Sequence, residues 1–312
     1  MVTANGLDAN AKGTAPEAIV WAGKVLDASG SGYISDIIAA INYITANVTA
    51  DAISMSLGTS PPYTFSGSNC DGVVPDLDNA IHNAISAGIS VVAAAGNSGS
   101  NGVSIPGCIS DVITVGAVNI NDVRASFSGR GSSLDVMALG VNDYSTVMGG
   151  GYGTGSGTSF STPIVSAVIA LMEQKNSAIT PNDVTNILRS SALDLGEEGF
   201  DRYYGYGRVV ANAAVDAVPG PVTPIHDVAV VSISAPSSAT QGTLVNIGVT
   251  VKNEGNQPES FTVTVTDETD LVAIGSQAVS LSAGTSTILS FTWSTLSSTL
   301  GNHTIKAQAS LV

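Results

Sequence analysis

Ser159 lies in the run Gly157-Thr158-Ser159-Phe160-Ser161-Thr162-Pro163, where small residues open onto an apolar stretch with helical character. A serine at a helix start faces unpaired backbone N–H groups, which favour a neighbouring negative charge. That setting suits an acyl-transfer nucleophile. Such a nucleophile needs an approachable hydroxyl, a base to take its proton and donors for the tetrahedral oxyanion. Gly155, Gly157 and Thr158 keep the approach uncrowded, and Pro163 is expected in the first turn of the helix. Asn97 is a second candidate, in Ala93-Ala94-Ala95-Gly96-Asn97-Ser98-Gly99. It follows a near-continuous apolar run. That places it at the carboxyl end of a buried parallel strand, the edge at which open sheets bind ligands. Its side-chain amide is either an ordinary turn group or a donor to an oxyanion. A base is missing from this set. Of the three histidines, His82 falls within a helical pattern, His226 in a proline-rich stretch and His303 in a strand-rich region.

Positioning these groups requires a scaffold, and the chain has material for one large domain and a smaller one. Of its 312 residues 44% are hydrophobic and only 11% charged, enough to bury a sizeable core. The net charge of −15 argues against nucleic acid or an anionic membrane as partner, because both call for basic patches. The longest apolar stretch, residues 164–172, is too short to cross a bilayer. Strand signals at residues 19–26, 52–57, 89–95 and 112–118 alternate with helix signals at 35–45, 76–87 and 159–174. Ser35 and Thr180 are expected as N-caps, with Pro181 at the first helical position after Thr180. This alternation specifies an α/β fold, a parallel sheet with helices on both faces. Val218-Pro219-Gly220-Pro221 then marks a linker. Beyond it the segments 227–234, 243–252, 260–266, 285–294 and 303–311 alternate apolar and polar residues between turns, as in an all-β sandwich. The two cysteines, Cys70 and Cys108, read either as buried free thiols or as a disulfide.

Several motifs occur together and in order. Ala95-Gly96-Asn97 and the Gly157–Pro163 run are accompanied by Lys24-Val25-Leu26-Asp27, Met55-Ser56-Leu57-Gly58, Thr114-Val115-Gly116-Ala117-Val118, Asp135-Val136-Met137-Ala138 and Tyr204-Gly205-Tyr206-Gly207. The set resembles the subtilisin-like serine proteases, or subtilases, over about residues 1–217. The resemblance implies Ser159 as nucleophile and an oxyanion hole from Asn97 and the Ser159 N–H. It implies that Ser56, Leu57 and Gly58 pair with substrate backbone as an added strand, and that Ala94, Ala95 and Gly96 form a wall of the specificity pocket. The substrate would be a polypeptide. Residues 227–312 resemble the adhesion-related, immunoglobulin-like (CARDB-like) domains appended to microbial, notably archaeal, surface proteases. This implies spacing or cell-surface attachment, after a linker at 218–226.

The chain departs from the family at one point. Subtilases carry the triad aspartate, and then a histidine in a His-Gly-Thr-His type motif, ahead of the segment that resembles Lys12-Gly13-Thr14-Ala15-Pro16-Glu17-Ala18. Neither is present, and Asp8, Asp27 and Asp36 lie outside the aspartate motif. The expectation is therefore an N-terminally truncated subtilisin-like domain, nearly inactive alone. A pseudoprotease acting as a peptide-binding or adhesion module, or a protein completed by a second chain, are the other two readings. The start Met1-Val2-Thr3-Ala4-Asn5-Gly6 has no signal-peptide pattern, although the family context implies an extracellular or cell-surface protein and so favours a Cys70–Cys108 disulfide. Calcium is common in the family. The segment Leu7-Asp8-Ala9-Asn10 offers one carboxylate to a cation wanting six or more oxygens, so structural calcium is left open without being assigned, and no other cofactor is expected.

Overall fold

The computed structural model describes residues 2–3, 11–147, 149–221 and 223–311. They fall into two compact units, 1–221 and 222–312.

The first unit is built on a four-stranded parallel sheet. Its strands are β1 (Ala52–Met55), β3 (Ser90–Ala94), β5 (Ile113–Val118) and β6 (Val136–Leu139), in the order β1-β3-β5-β6. Two short antiparallel pairs decorate it: β2 (Thr64–Phe65) with β4 (Val103–Ser104), and β7 (Asp143–Thr146) with β8 (Tyr152–Gly155). Every residue of β3 and β5 is buried, as a strand covered on both faces requires. On one face α1 (Ile34–Asn47) and α2 (Pro75–Ser86) pack through Ile41, Leu77 and Ile81 onto Ile53, Val91 and Ala93. On the other, α3 (Thr158–Lys175), α4 (Pro181–Ser190) and α5 (Ala211–Ala217) bury Val165, Ile169, Leu188 and Ala214 against Val92, Ile113 and Val136. The fold is thus the α/β arrangement of helices on both faces of a parallel sheet. Thr180 caps α4 as expected: its hydroxyl accepts from Asp183 N at 3.2 Å, and the Asp183 carboxylate accepts from Thr180 N at 2.9 Å.

Three expectations are corrected. Residues 19–26 form no strand, and Ile19, Val20 and Trp21 are exposed. A strand needs a ladder partner, and the nearest edge, β1, is separated from this segment by a cavity of about 1370 Å³ that both segments line. β1 consequently pairs with β3 alone among the described residues. It ends at Met55 rather than residue 57 and buries only Ile53 and Met55 fully. Ser35 lies inside α1, whose N-cap is Tyr33 with no side-chain bond. The Leu7–Asn10 segment considered for calcium falls outside the described residues.

The second unit holds two three-stranded antiparallel sheets. One has the order β13 (Ser286–Ser294), β10 (Leu244–Asn253), β9 (Val228–Ser234). The other has the order β12 (Val272–Leu281), β11 (Glu259–Asp267), β14 (Ile305–Leu311). Alternate residues Val245, Ile247, Val249 and Val251 meet Phe261, Val263 and Val265 in one core, the pattern of a sandwich. Strand β12 was not individually legible. Its Ile274-Gly275-Ser276-Gln277 stretch interrupts the apolar–polar alternation, and every residue of the strand is at best half-buried.

Candidate active site

The β3 strand delivers its chain to a turn at Gly96, whose φ is +88°. A side chain there would collide with Ser104, placing a Cβ 1.8 Å from its Oγ, so both the backbone conformation and the packing demand glycine. Asn97 follows at the carboxyl end of the strand and is exposed. Its side chain is nevertheless held firmly. Thr158 N donates to Asn97 Oδ1 at 3.0 Å, and the Thr158 hydroxyl donates to the same atom at 3.2 Å while accepting from Gly96 N at 3.2 Å. A backbone N–H can only donate, so this network fixes which end of the amide is oxygen. Nδ2 is left as the outward end, and it makes no hydrogen bond among the described residues.

Ser159 follows Thr158 in the first turn of α3, where backbone N–H groups have no helical acceptor. A methyl group in place of the Gly157 hydrogen would lie 3.5 Å from Asn97 Nδ2 and 3.8 Å from Ser159 N. Both nitrogens, with Asn97 Oδ1 at 3.7 Å, border the space left by the missing side chain of Gly157, whose φ is +153°.

Pro163 lies not in the first turn but at the sixth helical position. In an α-helix its N–H would close onto the carbonyl of Ser159, and proline has none. The freed carbonyl accepts from Ser56 Oγ at 2.9 Å, while the Ser159 hydroxyl donates to Ser56 O at 3.4 Å, a long bond. The reactive-type serine is therefore tied to the end of β1 in both directions. Beyond Ser56 the Leu57 and Gly58 backbones make no hydrogen bond among the described residues, and Ser56 and Gly58 are exposed. Ala94, Ala95 and Gly96 are buried. The Ala95 carbonyl accepts from Ser104 N and the Gly96 carbonyl from Gly129 N, so these residues act from behind the surface.

No imidazole or carboxylate bonds to Ser159 among the described residues. His82 Nδ1 meets Asp78 O at 2.8 Å, His226 Nδ1 lies 2.5 Å from Glu259 Oε1, and His303 Nδ1 lies 2.7 Å from Asp267 Oδ2. Five acids among the unit's described residues are perturbed: hydrogen bonds lower Asp27 and Asp183, and burial raises Asp135, Asp143 and Glu173. Burial first, and then the Asp51 carboxylate, push Glu173 on α3 up to about 7. Asp135 is also raised, because burial outweighs the Arg189 guanidinium, at 3.0 Å through Nε, and the Thr114 N–H. Cys70 and Cys108 form a disulfide with Cα atoms 5.3 Å apart, inside the α1–α2 face of the core, and Cys70 N donates to Cys108 O. No helix among the described residues is long and apolar enough to cross a membrane.

The structure brings Ser159 and Ser56 into contact and sets Asn97 beside Thr158. Sequence reading missed Thr158 as the group that orients Asn97, although a threonine directly before the serine was in view. It also missed the displaced proline, whose spacing of four from Ser159 was the available signal.

A parallel sheet with helices on both faces, and a serine in the first turn of α3, places the chain in the α/β class. Residues 1–207 match the subtilase family and residues 225–310 match the CARDB domain. The chain belongs to the subtilase family. It is 43% identical over 206 residues to subtilisin E of Bacillus subtilis, covering 65% of this chain and 50% of that protein. It is 39% identical over 202 residues to subtilisin Savinase of Lederbergia lenta, covering 65% and 70%. Proteases from Pseudoalteromonas arctica superpose with a TM-score of 0.57 at 33% identity, covering 67% of this chain and 65% of that one. The chain spans half the length of subtilisin E.

Proposed function

We propose that this protein is a serine-type endopeptidase in which Ser159 is the nucleophile and Asn97 Nδ2 and the Ser159 N–H receive the oxyanion. The observation that carries the reading is that both nitrogens border the space left by the missing side chain of Gly157. Ser159 Oγ attacks the peptide carbonyl as its proton passes to a base. The tetrahedral intermediate collapses to an acyl-enzyme with release of the amine, and water repeats the cycle to free the acid. Substrate backbone lies along Ser56, Leu57 and Gly58, where the peptide groups of Leu57 and Gly58 suit strand addition, with Ala94, Ala95 and Gly96 backing the adjoining pocket. A buried disulfide fits an extracellular setting, and the second unit serves as spacer or cell-surface attachment.

The acid and base come from a segment docked along the open edge of β1. That edge runs beside the cavity of about 1370 Å³, between Val20–Leu26 and Ile53–Met55 and against α1 and α3, and it ends at Ser56 next to Ser159. Alone, these 312 residues react very slowly, because triad members act as a unit. In subtilisin itself, removing its catalytic serine or histidine costs about as much as removing the whole triad.

Labelling with a fluorophosphonate tests this, with and without a supplied segment carrying an aspartate and a His-Gly-Thr-His type motif, and with Ser159→Ala as the control. Labelling of Ser159 only with the segment supports the proposal. Tight peptide binding at the cleft, with no labelling under either condition, supports a binding module instead.

A further inference from the structure

His303 stands at the end of the second unit where the β11–β12 turn meets the loop before β14. Its side chain is only 11% exposed, and both ring nitrogens face acceptors. Nδ1 lies 2.7 Å from Asp267 Oδ2 and 3.7 Å from Asp270 Oδ2, and Nε2 lies 2.8 Å from the Thr299 carbonyl. A carbonyl and a carboxylate only accept, so a neutral imidazole satisfies one side and turns a lone pair against the other. The two carboxylates are themselves committed as acceptors. Asp267 takes Thr269 N at 3.0 Å, and Asp270 takes Thr299 N at 2.9 Å and the Thr299 hydroxyl at 2.7 Å. Satisfying both sides therefore takes a proton on Nε2 and, between Nδ1 and Asp267, a second proton or a metal ion in its place. A metal ion at ~2.0–2.2 Å from both atoms would hold them about 3 Å or more apart. A separation of 2.7 Å is that of a charge-assisted N–H···O bond.

We propose that His303 is a proton-operated clamp: as imidazolium it joins Asp267 and Asp270 of the β11–β12 turn to the Thr299 loop, and its deprotonation releases that loop. The joint has neighbours on every side. Trp293 of β13 presents its ring edge-on to the imidazole with centroids 5.2 Å apart, and carries no charge. Glu268 in the turn and Lys306 on β14 neutralise each other at 3.1 Å. Glu268 N also donates to Thr304 O, and Thr304 N to Thr269 Oγ1, so loop and turn stay stitched by backbone when the clamp opens. The release is a loosening and not an unfolding of the unit.

The Thr299 carbonyl first, and then the Asp267 carboxylate, raise the pKa of His303 above its ordinary value. The sign follows from the raised value. Stabilisation by the clamp is complete below the ordinary histidine pKa of about 6.5 and is lost as pH rises through the folded one.

The test uses the full chain carrying Trp21→Phe, so that Trp293 is the remaining tryptophan. Imidazolium quenches a neighbouring indole, so emission should rise with pH at a midpoint above the ordinary histidine value. Imidazole nitrogen resonances should show both His303 nitrogens protonated below that midpoint. Asp270→Asn should lower the midpoint with the fold intact, and His303→Gln should abolish the transition. A midpoint at or below the ordinary value overturns the proposal, as does a transition that survives in His303→Gln. A ring that titrates only after treatment with a chelator would show a bound cation at Nδ1 and equally overturns it.

Discussion

Replacing Thr158 with valine removes one oxygen and leaves the shape nearly unchanged. Thr158 is fully buried, so nothing replaces the lost group with water. Gly96 N, which donates to that hydroxyl at 3.2 Å, becomes a buried unsatisfied donor at a cost of ~1–3 kcal/mol. The bond to Asn97 Oδ1, also 3.2 Å, is lost for a further ~0.5–1 kcal/mol, with Thr158 N still holding that oxygen. Burying a methyl in place of a hydroxyl returns about 0.8 kcal/mol. The net expectation is about 2 kcal/mol of destabilisation, or roughly 4–8 °C for a unit of this size. Thermal unfolding followed by the helical far-ultraviolet signal reports on the first unit, because every helix among the described residues belongs to it. Amide exchange at Gly96 gives the local readout: it should accelerate in Thr158→Val and remain slow in Thr158→Ser, which keeps the hydroxyl. A Thr158→Val protein with native stability and a protected Gly96 amide would refute the network as the support of Asn97.

Gly157→Ala should strain a backbone whose φ of +153° L side chains rarely adopt, put a methyl beside Asn97 Nδ2 and Ser159 N, and so suppress Ser159 labelling in the complemented protein by about 10-fold or more. Unchanged labelling by a fluorophosphonate would dismiss the oxyanion assignment. Converting Cys70 and Cys108 to alanine opens a loop with a sequence separation of 38 and should cost about 4 kcal/mol in the chain-entropy treatment, read by urea unfolding of the first unit. Glu173, raised to about 7, favours the fold most when protonated. Stability of the first unit should therefore fall as pH rises from about 4.5 through 7, by about 1–2 kcal/mol after allowing for solvent screening. Glu173→Gln should flatten that dependence in unfolding measured across the range.

The layered α/β architecture was legible because buried parallel strands leave apolar runs, and 90–94 and 113–118 fall within the expected segments. That Ser159 and Asn97 lie near one another was implied only by the family resemblance; the residues read alone left Asn97 as a turn asparagine or an oxyanion donor. What failed was context. Residues 19–26 have strand composition, but composition says nothing of whether a partner edge lies within hydrogen-bonding reach. Ser35 is a good capping residue, yet α1 begins one residue before it, at Ile34. Thr158 reads as a small residue clearing an approach. Its real part depends on a contact across 62 positions, Gly96 N to Thr158 Oγ1, that no local pattern encodes. His303 was one histidine among three, and its two carboxylate neighbours come from a turn more than thirty residues earlier.

Pro163 has a consequence for what sets the geometry of the site. A helix normally settles the carbonyls of its own first turn as it winds, in well under a microsecond for a short segment. Here one carbonyl, that of Ser159, has no partner within the helix, and its partner in the fold is a side chain 103 positions away in the sequence. Helix α3 folded in isolation would hold its serine at no defined distance from anything. The geometry around Ser159 is thus a tertiary property, set by the contact of the helix with the end of β1 and not by either alone.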